Sequence, residues 1–137
     1  MNTQPNEIQV YHCLLKTKAI EECHKPHFSD VQMKRVVKYY QENGSPEKLM
    51  EAYFLLACIY RDLNDVSFAL EYFQKAVEVR VDNPCHSLKS RAYSQMGILF
   101  TNQGMHFEAT DVYRKACSHA LLGCDSLDIA RFYKDLG

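Results

Sequence analysis

The stretch YRDLNDVSFALEYFQKAVEV, residues 60–79, contains the end of one amphipathic helix, a short break and the start of another. The segment FTNQGMHFEATDVYRKACSH, residues 100–119, repeats the same order of residue sizes forty positions later. A fixed period with matching residue classes is typical of an array of repeated structural units. The two segments therefore predict two copies of one helical hairpin.

The residue types that recur in the two copies have a packing explanation. Two antiparallel helices approach closely only where a small residue lies at the contact. The first helix of each copy has such a residue at Ala57 or Gly97, and the second helix has one at Ala69 or Ala109. Aromatic residues at matched positions fill the space around these contacts: Tyr60 with Phe100, and Phe73 with Tyr113. A single hairpin cannot bury its whole apolar face, so we expect neighbouring hairpins to stack.

This pattern resembles a known repeat family. The order aromatic–x2–large–small–x2–aromatic, a turn, and then Ala–x3–aromatic–x2–Ala is similar to the tetratricopeptide repeat, over residues 50–119 and again from residue 127. The period of forty and Asn64 in place of the usual turn glycine depart from the family pattern. The resemblance implies an all-α, right-handed superhelix of helix pairs with a concave ligand-binding groove.

We expect one repeat domain over residues 1–137, with about seven helices and a truncated last repeat. Pro26, Gly44, Asn64 and Gly104 mark expected helix ends, and Ser45–Pro46 marks a helix start. The parts of the domain are a degenerate N-terminal helix pair (1–45), a first repeat (46–84), a second repeat (85–124) and a partial third repeat (125–137).

The two N-terminal helices are predicted from apolar residues at helical spacing. In the first helix the residues expected near one face are Ile8, Tyr11, Leu14, Leu15 and Ile20. In the second helix they are Val36, Val37 and Tyr40.

Composition and charge exclude several classes of function for this segment. Apolar residues make up 47% of the chain and charged residues 24%, which is ordinary for a globular protein. The net charge is −1 and there is no basic block, so nucleic-acid binding through this segment is not expected. No run of about 18 apolar residues exists, so no membrane-spanning segment is expected either.

The pattern of cysteines and histidines does not predict an enzyme. Cys85–His86 and Cys117–x–His119 could suggest a nucleophile and a base. Adjacent helical residues point about 100° apart, and no orienting third group or oxyanion hole is evident. We therefore expect no catalytic residues.

No metal or cofactor is expected either. Cys13 and Cys23 lie ten residues apart, about 15 Å along one helix, so they cannot share one ion. A zinc site built from Cys23, His27 and remote partners is the alternative, but a half-buried thiol with surface histidines explains the same residues.

The tetratricopeptide resemblance also implies which residues contact a ligand. In the family, the first helix of each repeat lines the groove, and a chaperone-binding subfamily uses Lys and Asn where this chain has Phe54 and Cys58. A chaperone carboxylate is therefore disfavoured, and a peptide with apolar anchors is favoured. Phe54 and Leu55 could instead pack against the preceding helix. The expected contacts are Phe54, Leu55, Cys58, Arg61, Arg91, Gln95, Ile98, Asn102, Arg131 and Lys134.

A second, more specific resemblance concerns residues 27–63. The segment HFSDVQMKRVVKYYQENGSPEKLMEAYFLLACIYRDL is similar to the region before the first clear repeat in a group of bacterial tetratricopeptide sensor-regulators. This implies a protein-interaction scaffold, the sensor or docking segment of a larger bacterial regulatory protein. The alternative is a peptide or small-ligand receptor domain of such a regulator.

Compartment and self-association are predicted from the cysteines and from the last residues. The six cysteines include no CxxC pair and are expected to be free thiols, which favours the cytoplasm, although the resembled regulators often place their repeats in the periplasm. Residues 126–137, SLDIARFYKDLG, have no polar capping face. We therefore expect this last helix to self-associate or to fray.

Overall fold

The computed structural model describes residues 7–27, 29–81 and 86–122. Within these residues all regular structure is helical, which confirms the predicted all-α class of tetratricopeptide-like helix pairs. The expected seventh helix lies outside the described residues. The six helices are α1 (Glu7–Glu22), α2 (Val31–Glu42), α3 (Pro46–Asp62), α4 (Val66–Glu78), α5 (His86–Asn102) and α6 (His106–Leu122).

The chain divides into two compact units, Met1–Val79 and Arg80–Gly137, called unit 1 and unit 2 below. Unit 1 contains α1 to α4, and unit 2 contains α5 and α6. The expected single domain, with a degenerate pair, two repeats and a partial repeat, stays a prediction.

The central element of unit 1 is α3. It contacts α1, α2 and α4, and every residue from Ala52 to Tyr60 is buried. A helix that is apolar on all sides is stable only when it is surrounded by other elements. The three neighbouring helices of unit 1 therefore surround the middle of α3.

Of the residues predicted near one face of α1, Leu14 is buried, and Ile8, Tyr11 and Leu15 are not. Val10 and Leu14 are its buried apolar residues, whereas Ile8 is 79% exposed, and Tyr11 and Leu15 are also exposed. The apolar residues of α1 are distributed around the helix, so their spacing alone allows more than one inward face. Packing against α2 and α3 selects the face that carries Val10 and Leu14.

The predicted inward face of α2 and the helix ends predicted at Gly44, Asn64 and Gly104 are confirmed. Val36, Val37 and Tyr40 are buried, together with Met33. The residues Gly44, Asn64 and Gly104 have positive φ, at 63°, 62° and 76°. The helix α1 ends at Glu22, before the predicted stop at Pro26, and His24 follows it with a φ of 56°. Proline begins α3, and the Asp65 side chain caps α4 by accepting a hydrogen bond from the backbone N–H of Phe68.

A hydrogen bond and a close contact between a glycine and a tyrosine are among the interactions that hold α5 and α6 together in unit 2. The buried Ser90 hydroxyl donates a hydrogen bond of 2.9 Å to the Ala116 carbonyl oxygen. Farther along α5, Gly97 lies against the Tyr113 ring, and a Cβ at this position would be 2.6 Å from the ring atoms Cε1 and Cζ. The contact between α5 and α6 therefore requires the small residue that the repeat pattern predicted at Gly97.

Gly97→Ala should destabilise the protein. The added methyl group must displace the Tyr113 ring, and such overpacking costs about 1–3 kcal/mol, offset by about 1 kcal/mol from the better helix propensity of alanine. Urea unfolding followed by circular dichroism measures the difference. Thr101→Ala, at an exposed position of α5, is the control without a steric clash. The same loss in a Tyr113→Leu background would contradict the explanation, because the clashing ring is then absent.

Candidate functional site

Four of the predicted ligand contacts lie on one side of α5. Arg91, Gln95, Ile98 and Asn102 are separated by four, three and four positions, so they share one helical face, called the α5 face below. Arg91 and Asn102 are exposed, Gln95 is half-buried, and the Ile98 side chain is 44% exposed. The Ile98 side chain thus lies at the surface between the amides of Gln95 and Asn102. Arg91 lies about two helical turns away on the same face.

Three predicted contacts lie in the core of unit 1. Phe54, Leu55 and Cys58 are only 3%, 2% and 0% exposed, so they offer no surface to a ligand in this conformation. The Phe54 ring packs edge-to-face against Phe73 of α4, with the ring centroids 5.6 Å apart. Because α3 is surrounded, the apolar patch expected in the first repeat forms part of the core.

Arg61 belongs to a charged cluster at the end of α3. Its Nη2 atom lies 3.0 Å from Glu21 Oε1 of α1 and 3.0 Å from Asp62 Oδ1. Burial disfavours the charged guanidinium, but the Cys58 sulfur and the two carboxylates raise the pKa of Arg61 above its ordinary value. The side chain therefore remains charged and ties α1 to α3, and its role as a ligand contact stays a prediction.

The last two predicted contacts, Arg131 and Lys134, lie outside the described residues. The same is true of the surface expected to self-associate, residues 126–137. Near the end of α6, Leu121 and Leu122 are 53% and 62% exposed.

His27 contacts both carboxylates of the charged cluster, and the sequence did not indicate this arrangement. It is 6% exposed, its backbone N–H donates to Asp62 Oδ2 at 3.0 Å, and its Nε2 atom lies 3.1 Å from Glu21 Oε1. The possible ligand atoms of Glu21, His27 and Asp62 lie within 4.8 Å of one another. Because the guanidinium of Arg61 already binds both carboxylates, we interpret this group as a structural ion network and not as a metal centre.

The cysteines of the described residues form no disulfide bond. These are Cys13, Cys23, Cys58 and Cys117, and Cys23, which was considered as a partner of His27, is exposed. Burial raises the pKa of the Cys13 thiol, while a hydrogen bond with Thr17 and the charge of Lys16 oppose that shift. Cys85 and Cys124 lie outside the described residues.

The structure pairs two histidines that sequence spacing had placed in separate motifs. His86 begins α5 and His119 lies in the last turn of α6, with their Nδ1 atoms 3.0 Å apart. The Tyr93 ring stacks on His119, with the ring centroids separated by 5.6 Å. Burial, His86 and Lys89 lower the pKa of His119, so this imidazole is neutral near pH 7. Histidines 33 residues apart carry no local signal in the sequence.

A polar contact also ties α2 to α3. The Tyr60 hydroxyl donates a hydrogen bond of 2.7 Å to Asp30 Oδ2, and Lys34 Nζ lies 3.0 Å from the same oxygen. The hydrogen bond from Tyr60 and the interaction with Lys34 hold the pKa of Asp30 below its ordinary value. The Tyr60 ring also stacks on Tyr72 of α4, with centroids 5.6 Å apart. Tyr60 thus links three helices.

Comparison with known proteins agrees with this architecture. Residues 50–83 match the model of the tetratricopeptide repeat family. This match supports the tetratricopeptide resemblance. It covers α3, α4 and the residues that follow, which is the copy that the sequence pattern identified first.

A solved structure shares the fold over most of the chain. The crystal structure of BtubC (BKLC) from P. vanneervenii superposes with a TM-score of 0.57 at 18% sequence identity. The likeness covers 93% of this chain and 57% of that structure, so the chain spans little more than half of its length. At this identity the likeness establishes the fold and not the activity.

No curated protein matches the chain. Among the described helices, none is both long and apolar enough to cross a membrane.

Tyr60→Phe should destabilise the protein in a pH-dependent way. A hydrogen bond to a charged group contributes about 1.5–3 kcal/mol. Because the pKa of Asp30 is lower in the folded state, this stabilisation is present above the unfolded pKa of about 3.9 and is lost as the pH falls through the folded value. Urea unfolding at a series of pH values should therefore show the largest difference between variant and wild type at pH 7, and this difference should decrease as the pH falls below about 3.9.

Tyr53→Phe is the matched control for this experiment. The Tyr53 hydroxyl accepts a hydrogen bond of 2.7 Å from the neutral amide of Gln41, so its loss should have a similar effect across this series of pH values. A pH-independent effect of Tyr60→Phe would contradict the role of the Asp30 carboxylate.

Arg61→Leu should lower the free energy of unfolding by about 1–3 kcal/mol, because Glu21 and Asp62 then lose their shared cation. The estimate is below that for a fully buried pair because the Arg61 side chain is 23% exposed. Arg35→Leu, on α2, makes the same chemical change at an exposed position and should cost less than about 0.5 kcal/mol. Equal stability of the two variants would show that the ion network does not stabilise unit 1.

Proposed function

We propose that the chain is a protein-interaction scaffold that binds partners through the α5 face. Tetratricopeptide repeats generally mediate protein–protein interactions, and the match over residues 50–83 supports that role here. The observation that carries the proposal is the exposure of Ile98 on a face that otherwise bears polar groups. An apolar anchor surrounded by hydrogen-bonding groups is the usual composition of a specific protein-binding surface.

The chemistry of the α5 face specifies the partner. Ile98 suits an apolar side chain, while the exposed amide of Asn102 can pair with backbone N–H and C=O groups. Arg91 carries an exposed guanidinium whose five N–H donors can include a carboxylate among their partners. The partner is therefore an extended or helical peptide segment with an apolar residue next to an acidic one.

The remaining predicted contacts have different roles in this proposal. Arg131 and Lys134 would add two cations to the binding surface and strengthen the preference for an acidic segment. Arg61 remains in the ion network, and Phe54, Leu55 and Cys58 support the core of unit 1.

We further propose that the scaffold is the sensor or docking segment of a larger bacterial regulatory protein. The resemblance of residues 27–63 to the corresponding region of bacterial sensor-regulators supports this context. Location in the cytoplasm or the periplasm stays a prediction, since it depends on that larger protein.

Panning of phage-displayed peptide libraries tests the binding surface. Libraries of about eight and about twenty random residues would be selected on the wild-type chain, and the enriched peptides titrated by calorimetry. We expect peptides with an apolar residue beside Asp or Glu. Ile98→Asp should weaken their binding by about tenfold or more, because the anchor is lost and a carboxylate repels the acidic segment.

Phe107→Asp is the matched control, because Phe107 is a 91% exposed apolar residue that belongs to α6 and not to the α5 face. It should leave peptide affinity unchanged, and circular dichroism should show both variants folded. Tight, saturable binding of one eight-residue peptide would favour the receptor-domain alternative over a scaffold. Equal affinities of Ile98→Asp and wild type would rule out the α5 face.

A further inference from the structure

The histidine pair of unit 2 brings two imidazole nitrogens within chelating distance of each other. The Nδ1 atoms of His86 and His119 are 3.0 Å apart, and the ring centroids are 5.2 Å apart at an interplanar angle of 27°. Because each nitrogen lies slightly more than 1 Å from its ring centre, these distances place the two Nδ1 atoms between the two rings. The nitrogen atoms therefore face one another across a short gap.

The surrounding contacts hold both rings in position. The buried hydrogen bond from Ser90 to the Ala116 carbonyl lies one helical turn from His86 on α5 and one turn from His119 on α6. Tyr93 stacks on the His119 ring with the planes inclined by 16°. The two nitrogen donors are thus supported by the α5–α6 contact, which is the kind of pre-organisation that a metal site requires.

We propose that His86 and His119 together bind one divalent first-row transition-metal ion, of the nickel, copper or zinc class, through their Nδ1 atoms. Zinc–imidazole bonds are about 2.0–2.1 Å long, so two ligand nitrogens at an angle of 90–110° are about 2.8–3.4 Å apart. The observed separation falls within that range. The ion lies about 1.4 Å to the side of the line between the two nitrogens, and both rings turn toward it when it binds. Water occupies the remaining coordination positions.

The chemistry of the pair selects the class of metal. Imidazole nitrogen suits nickel, copper and zinc, whereas calcium and magnesium prefer oxygen ligands. Lys89 acts on His119, and Lys115 Nζ lies 5.8 Å from the Tyr93 ring centroid. The positive charges of these two lysines repel a metal cation. Binding therefore depends on the bonds between the metal and the two imidazole nitrogens and not on electrostatic attraction.

Metal binding competes with the hydrogen bond between the two rings. In the metal-free pair, one Nδ1 carries the proton that the other accepts. When the ion binds, solvent exchange moves this proton to Nε2 of the same ring, and both Nδ1 lone pairs become ligands. No net proton release is required when both imidazoles are neutral.

Calorimetric titration of the full chain with Ni²⁺ tests the site, in a buffer that does not bind metals and at a pH near 7.5. Nickel is chosen because, unlike copper, it does not readily oxidise free thiols. We expect one site per chain. His86→Gln and His119→Gln should each weaken it about tenfold or more, because the remaining imidazole binds without its chelating partner. His106→Gln, which removes an exposed histidine at the start of α6, should have no effect.

A second measurement requires no variant and guards against misfolding. Imidazole ¹H–¹⁵N correlation spectra of the wild type should show paramagnetic broadening at His86 and His119 at the lowest Ni²⁺ concentrations. Broadening first at another histidine, unchanged affinity in either folded pair variant, or no binding below about millimolar Ni²⁺ would each overturn the proposal. A site that needs both histidines, with broadening at both, would establish it.

Discussion

Burial of α3 on all sides is the constraint on which unit 1 depends. Its residues from Ala52 to Tyr60 are buried against α1, α2 and α4, so the middle of the helix must be apolar or small. The polar groups at its C-terminal end need specific partners, because an unpaired buried charge or hydroxyl is costly. Tyr60 meets Asp30 of the α2 N-terminus, and Arg61 meets Glu21 of α1.

These polar partners determine how the N-terminal helices pack. Asp30 and Glu21 come from separate segments, yet both bind residues in the last turn of α3. His27 adds a backbone hydrogen bond to Asp62, which fastens the connection between α1 and α2 to the same place. A periodic apolar surface permits several registers, whereas hydrogen-bonded charges permit few. The ion network and the Tyr60–Asp30 contact thus give unit 1 a specific arrangement.

Unit 1 and unit 2 contain the same repeat pattern, but equivalent residues differ in burial between the two units. Ala57 and Gly97 occupy equivalent positions, but the Tyr113 ring lies so close to Gly97 that it leaves no room for the Cβ atom that Ala57 carries. Cys58 is fully buried, whereas Ile98, its equivalent forty positions later, is 44% exposed. In unit 1 the helices α1 and α2 supply the extra cover for α3. The matched position therefore belongs to a core in one copy and to a candidate binding surface in the other.

The sequence by itself determined the all-α class, the helix boundaries at Gly44, Pro46 and Asn64, and the small-residue contact at Gly97, because these depend on local backbone preference and residue size. It also placed Arg91 and Ile98 on one helical face, since helical spacing is a local property. Only the tertiary structure decided which residues are covered and which distant side chains meet. It buried Phe54 and Leu55, exposed Ile8 and Tyr11, and joined His86 to His119. The physical reason is that burial and long-range pairing depend on the neighbouring elements, and short-range periodicity contains no information about them.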